Sequence, residues 1–308
     1  MQAATTSGTR TSLSTTGGQR PQASLAALLR MEHMKLRARP MTKILLGIAT
    51  LGTVLFMSLA YVAVRASSYD SDAARQADIR ELLMPNALND GMQIISLLAG
   101  ILITVLAASI AGSEFGWGTI RTLVGTGQSR TNIVLAKIIA VVQYSIAFTL
   151  AGVAAIIVTS YGVALIGGHD ISSDWMTMTF VNDFAQAFGR LTFLVFLSGA
   201  MAFSIALLTR SLAAGIAIGI GWGVVESIVV ALLGTINTTG DKIAQALTTP
   251  NVNAIMDRIR FTASDANEVG ASGGVNELQA FGVLTLYIVV PLVIATIVFR
   301  RRDITSGA

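Results

Sequence analysis

The chain has 308 residues, of which 53% are apolar and 12% are charged, and its mean hydropathy is +0.68. An average soluble domain carries about 25% charged residues, so this chain lacks the polar side chains needed to cover a surface in water. It has no cysteine, which excludes disulfides, thiolate metal ligands and cysteine nucleophiles. The net charge is +4, but in a membrane protein the positions of the basic residues matter more than their sum, because they indicate topology. We therefore expect no nucleic-acid partner.

The N-terminal region divides into two parts. Residues 1–23 are rich in Ser, Thr and Gly and lack periodic apolar positions, which predicts a disordered tail without a signal peptide. Residues 24–43 mix leucines with Arg and Lys, a pattern typical of an amphipathic basic helix that lies on a membrane face. Pro40 is expected to end that helix.

Apolar blocks of about 20 residues recur along the chain, the length that crosses a hydrocarbon core of roughly 30 Å as a helix. They predict an all-α, polytopic membrane protein with six transmembrane helices. The predicted spans are 44–64, 91–111, 138–161, 190–208, 213–233 and 281–299. Lys137 is expected to snorkel to the interface at the start of the third span. The loop 234–280 is polar, with enough apolar residues between 243 and 259 for one or two short helices.

The distribution of basic residues predicts the orientation. Fourteen of the 21 Lys and Arg residues fall on the side of the N terminus, whereas 13 of the 17 acidic residues fall on the other side. By the positive-inside rule, both termini are expected in the cytoplasm, with 303–308 as a short cytoplasmic tail and 234–280 as an external loop. We expect the chain to lie in the cell membrane.

Several chemistries are excluded or disfavoured. No lysine is followed by Ser or Thr, so the chain has no P-loop of its own. His33 and His169 are expected on opposite sides of the membrane, which rules out a shared zinc site. Residues 270–274 match G-x-S-x-G, but no strand precedes them, so a flexible external turn is favoured over a hydrolase site. We therefore expect neither an enzyme nor a cofactor in this chain.

The segment 112–132 joins the second and third predicted spans on the cytoplasmic side. It reads GSEFGWGTIRTLVGTGQSRTN, which places an acid at a helix end, then a Gly-Trp-Gly break, a short helical stretch and a second turn. We expect it to form an elbow suited to docking a partner.

This segment resembles the E-x-x-x-G-T-I/L-R-x-L-L…S-R…K signature of permease subunits in the ABC-2 class of ABC transporters. The matching positions are Glu114, Gly118, Thr119, Ile120, Arg121, Leu123, Ser129, Arg130 and Lys137. Gly127 and Gln128 stand where that class often has a proline before Ser-Arg. The layout of residues 24–302 agrees with the same class.

The resemblance implies a coupling helix that contacts a separate ATPase. The residues expected to carry coupling are Glu114, Phe115, Trp117, Gly118, Thr119, Ile120, Arg121 and Arg130. The implied partners are two ATPase subunits, which hold ATP and Mg, and a second permease subunit, identical or related. Transport by export is implied in the same way.

Glu226 is the one ionisable residue well inside a predicted span, about 10 Å from the outer end of the helix. A carboxyl group there is expected to be paired or hydrogen-bonded and to face a bundle interior or cavity. One hypothesis pairs it with Arg190; the other bonds it to a neighbouring backbone group or hydroxyl.

Three glycines follow at intervals of four residues on the same predicted span, namely Gly215, Gly219 and Gly223. They form a smooth stripe that lets another helix approach closely. Packing within one subunit and packing across a dimer seam both fit this stripe.

Two other classes of function compete with a transporter permease. A secondary transporter would need no ATPase, but normally uses several charges inside the membrane. A membrane anchor or sensor would bind a ligand through the loop 234–280. The substrate itself is not indicated by the sequence.

Overall fold

The computed structural model describes residues 24–116, 128–235, 238–261 and 274–302. The secondary-structure elements of these residues are α-helices joined by loops. In chain order the helices are α1 (Leu25–Ala38), α2 (Pro40–Ala66), α3 (Asp72–Glu81), α4 (Ala87–Gly116), α5 (Arg130–Gly167), α6 (Met178–Thr209), α7 (Leu212–Leu233), α8 (Thr238–Ala244), α9 (Thr248–Met256) and α10 (Glu277–Arg301). Within these ranges six helices, α2, α4, α5, α6, α7 and α10, are long and apolar enough to cross a membrane. The chain is an all-α, multi-pass membrane protein.

The predicted spans are confirmed as helices, and most of the helices run beyond the apolar blocks. The largest extension is at the start of α6, which begins at Met178 rather than near Arg190. Phe180, Phe184 and Phe188 lie one turn apart on this extension, and Phe180 and Phe184 both contact the ring of Phe261. Apolar length predicts only the part of a helix that lies in lipid, so the polar extension was missed.

The polar connections also contain helices. The polar stretch between the first two spans holds α3, whose N-cap Ser71 accepts a hydrogen bond from the Ala74 backbone N–H. One short helix, α9, lies within the range 243–259 where one or two were expected, and α8 lies mostly before that range. Pro40 begins α2, and α1 ends two residues earlier at Ala38.

The spanning helices differ strongly in how much of each is buried by the rest of the chain. In the most apolar 18-residue stretch of each helix, 61% of the residues are buried in α4 and in α6, against 6% in α7. The pair α4 and α6 forms the centre of the bundle, with α5, α2 and α10 packed around it. Most of the α7 surface is apolar and exposed, so it faces lipid or another chain.

The ends of the helices meet at two faces. The face that carries α1 also holds the ends of α4, α6 and α10 and the starts of α5 and α7; we call it the α1 face. Contacts across it include Arg302 Nη1 to the Leu208 carbonyl oxygen, 2.8 Å, and the edge-on rings of Phe115 and Phe299, 6.2 Å apart. The opposite face, which we call the α9 face, carries α3, α8 and α9.

The glycine stripe of α7 packs within the chain over two of its three positions. A Cβ atom on Gly215 would lie 2.6 Å from Ala206 Cβ, and one on Gly219 would lie 2.9 Å from Thr104 Cγ2. Gly223 has open space around it. The first two glycines therefore let α7 approach α4 and α6 of the same subunit, whereas Gly223 takes no part in this packing.

Candidate functional site

Four charged side chains from three helices meet at the α1 face, and we call them the ionic cluster. Glu32 and Lys35 come from α1, Glu114 from the last turn of α4, and Lys137 from the second turn of α5. Glu32 reaches the cluster because it lies four residues from both Leu28 and Leu36, on the buried stripe of α1. The cluster joins α1 to both ends of the connection between α4 and α5.

Each lysine of the ionic cluster contacts both carboxyl groups. Lys137 Nζ lies 2.9 Å from Glu114 Oε1 and 3.4 Å from Glu32 Oε1. Lys35 Nζ lies 3.1 Å from Glu114 Oε1 and 3.2 Å from Glu32 Oε1. Lys137 also donates to the Ile110 carbonyl oxygen at 3.1 Å. The four charges alternate in sign, so the cluster is neutral as a unit.

Three of the four side chains are almost fully buried, while Lys35 stands at the edge. The exposed fractions of the side chains are 3% for Lys137, 4% for Glu114, 5% for Glu32 and 33% for Lys35. Removing one member of such a group leaves a buried charge uncompensated, which is strongly destabilising. The arrangement therefore fixes the three helices relative to one another.

Lys35 lies outside the spanning helices, and its ionisation strengthens the cluster. Burial opposes its charge, but the carboxylates of Glu114 and Glu32 outweigh burial and raise the pKa of Lys35 above its ordinary value of 10.5. Because folding raises this pKa, the stabilisation is fully present below the unfolded-state pKa and is lost only as the pH rises through the raised value. The cluster keeps this charge at neutral pH.

Arg130 and Phe115 connect the same region to α10. Arg130 Nη1 donates to the carbonyl oxygens of Arg300 at 2.9 Å and Arg302 at 2.7 Å, at the C-terminal end of α10. The Phe115 ring contacts Phe299 and lies 6.0 Å from the guanidinium carbon of Arg210. A cation at a helix C terminus is favoured by the unpaired carbonyls there.

The structure brings together part of the predicted coupling set. Glu114, Phe115 and Arg130 lie on the α1 face, whereas Trp117, Gly118, Thr119, Ile120 and Arg121 lie outside the described residues. Sequence reasoning missed Glu32 and Lys35. The signal for Glu32 was available, since an acid on the leucine stripe of a basic helix needs a buried partner.

The expectation that Lys137 snorkels to the interface is wrong. Only 3% of its side chain is exposed, and its ammonium group is held by two carboxylates and a carbonyl oxygen. Snorkelling is needed only where water is the nearest partner, and here Glu114 and Glu32 replace water.

The hypothesis of an Arg190–Glu226 pair is also wrong. Arg190 Nε lies 2.8 Å from Glu277 Oε1 at the start of α10. Glu226 instead accepts hydrogen bonds from the backbone N–H and hydroxyl of Thr248 and from the Thr249 hydroxyl, the last at 3.1 Å. The alternative of a backbone or hydroxyl partner is therefore the observed one.

Glu226 also caps a helix. Thr248 begins α9, which has no side-chain N-cap of its own, so Glu226 caps it from α7.

An open cavity of about 530 Å³ lies beside Glu226, between α4, α6, α7 and α9. We call it the Glu226 cavity. Gly219 and Gly223 line its α7 wall, and Trp222 stands next to them. The open space beside Gly223 is thus part of this cavity.

The bundle of six candidate spanning helices, closed at one face by α1 and its ionic cluster, defines a multi-pass α-helical membrane protein. A model of the family described as "protein of unknown function" (DUF2705) matches residues 54–305. That match covers most of the chain, so the chain belongs to this family. No curated protein matches the chain.

Proposed function

We propose that this protein is the permease subunit of an ABC transporter, moved by a separate ATPase. The observation that carries the proposal is the ionic cluster, in which Glu114 and Lys137, both positions of the ABC-2-like signature, meet at 2.9 Å. These two residues flank the segment 117–127. A rigid frame at both ends of that segment is what a coupling element needs if force applied to it is to reach α4 and α5.

The same frame extends to the rest of the bundle. Arg130, another signature position, ties the start of α5 to the end of α10 through carbonyl oxygens. Lys35 and Glu32 tie α1 to α4 and α5. A push on the connection would therefore move three spans and the interfacial helix together, which suits a subunit driven from outside its own chain.

Orientation and assembly follow from the same proposal. The α1 face holds the basic side of the chain and faces the cytoplasm of a plasma-membrane protein, with both termini on that side. Two ATPase copies, carrying ATP and Mg, dock there. The largely exposed apolar surface of α7 supports contact with a second permease subunit. Export is the direction we propose.

Copurification tests this function. Affinity purification of the full chain from its native membrane is expected to recover an ATPase, and Glu114→Ala is expected to reduce the ATPase activity recovered with it. Lys43→Ala, which removes an exposed cation on the same face, is the matched control and should leave that activity unchanged. Recovery of a chain that transports its cargo without any ATPase would favour a secondary transporter instead.

A further inference from the structure

The Glu226 cavity has the size and the mixed lining of a small-molecule site. Its volume of about 530 Å³ falls within the roughly 300–1,000 Å³ typical of ligand pockets. Its apolar wall includes Trp222, Met201 and Met256, and its polar groups come from Ser, Thr, Gln and Asn side chains on α4, α6, α7 and α9. Such a wall accepts an apolar body, while the polar groups can orient a charged or polar head.

The charged residues in the described lining of the cavity are acidic. Two acidic residues, Glu226 and Asp257, line it, and none of the described residues that line it is Lys, Arg or His. Glu226 is only 3% exposed, and within the described part of the chain it forms no ion pair. Its partners are hydroxyl and amide groups, which carry no full charge.

Helix α9 offsets the charge of Glu226 only in part. Its N terminus, which Glu226 caps, carries about half a positive charge, and its C terminus carries about half a negative charge. The helix therefore leaves part of the charge of Glu226 uncompensated, in a protein interior that screens charge poorly.

We propose that the Glu226 cavity binds an amphipathic organic cation, with its charge toward Glu226 and its apolar part against Trp222. The proposal rests on the transporter function above, in which such a molecule is the cargo. An aromatic face next to a carboxylate is well suited to a large, weakly hydrated cation. A small metal ion is a poorer occupant, because the described residues contain no group of three potential metal ligands.

A pair of ions with nearly the same shape and opposite charge tests the proposal. Binding of tetraphenylphosphonium and of tetraphenylborate to the purified full chain is measured by equilibrium dialysis in nanodiscs of zwitterionic lipid, after subtraction of protein-free nanodiscs. We expect the cation to bind at least about tenfold more tightly than the anion. Equal binding, or tighter binding of the anion, would overturn the proposal.

A cavity-filling variant locates the binding site. Gly223 has open space on the cavity side, so Gly223→Leu is expected to fill the cavity without a clash and to weaken cation binding at least about tenfold. Gly221→Leu is the matched control, since Gly221 also has open space but does not line the cavity. Equal binding by the two variants would place the cation elsewhere and overturn the proposal.

A charge variant tests the role of Glu226 separately. Glu226→Gln keeps an oxygen that can accept from the Thr248 and Thr249 hydroxyls, and it should weaken cation binding at least about fivefold while leaving anion binding no weaker. Asp241→Asn removes an exposed acid of the same face and should change neither. An unchanged affinity in Glu226→Gln contradicts the assigned role.

These measurements need no ATP, so they separate this inference from the transporter function. A chain that binds the cation but copurifies with no ATPase would keep the cavity assignment and overturn the proposed class. A chain that copurifies with an ATPase but does not distinguish the two ions would do the reverse.

Discussion

Taken as whole residues, Glu114 and Glu226 are both 3% exposed, yet the protein accommodates them in different ways. Glu114, at the α1 face, contacts two lysines, and a second acid balances the charge of the cluster. Glu226, toward the α9 face, is held by a backbone N–H and two hydroxyls and borders an open cavity. A charge-balanced group with tight packing suits a mechanical connection between helices. An acid that has no basic partner among the described residues and lies beside a cavity suits a ligand.

The largest effect is expected from removing a cation of the ionic cluster. Lys137→Met keeps the apolar stem but removes the cation that lies within 3.4 Å of both Glu114 and Glu32, and should lower the free energy of unfolding by about 3–5 kcal/mol. Denaturant-induced unfolding in detergent micelles measures this. The double variant Glu114→Gln/Lys137→Met leaves Glu32 and Lys35 as a balanced pair, so it should lose less than the sum of the single changes.

Lys43→Met serves as the control for that series, because Lys43 is an exposed lysine near the same face. It should change stability by no more than about 0.5 kcal/mol. If Lys137→Met were as mild as this control, the ionic cluster would not be the rigid connection that we infer.

A second, smaller effect distinguishes the packed α1 face from the open cavity. A Cβ atom on Gly112 would lie 2.6 Å from the Leu212 backbone nitrogen and 2.8 Å from its Cα atom, so the hairpin between α6 and α7 would have to shift. Gly112→Ala should destabilise the protein by about 1–3 kcal/mol. Gly223→Ala, which adds the same methyl group beside the cavity, should be tolerated. The same unfolding measurement applies, and equal effects of the two alanines would contradict the contrast in packing.

The smallest effect concerns the hydrogen bonds of Glu226. Thr249→Val removes one of its donors, at 3.1 Å, while Thr248 still supplies two. The expected loss of stability is about 0.5–1.5 kcal/mol, well below that of Lys137→Met. A loss as large as that of Lys137→Met would mean that one hydrogen bond to Glu226 contributes as much to stability as the ion pairs of Lys137.

The six spans could be predicted because each needs an apolar block of fixed length. Helix α3 was missed because it is polar and packs little, although Ser71 at its N-cap is a local signal. The sequence indicates two members of the ionic cluster as unusual, since Lys137 interrupts an apolar block and Glu32 interrupts a leucine stripe. Only the fold shows that the two side chains meet. The partners of Glu226 lie at the start of α9, with Thr248 22 residues further along the chain, and no local pattern specifies that contact.

The absence of cysteine allows the central claim, that an ATPase contacts the connection between α4 and α5, to be tested with single-cysteine variants. Gly116 ends α4 and has open space around it, so Gly116→Cys can carry a photoreactive cross-linker; Ser172→Cys, on an exposed segment of the α9 face, is the control. In native membranes we predict a cross-link to an ATPase from position 116 and none from position 172. An absent cross-link at 116, or labelling of that cysteine by a membrane-impermeant reagent from outside intact cells, would contradict the account.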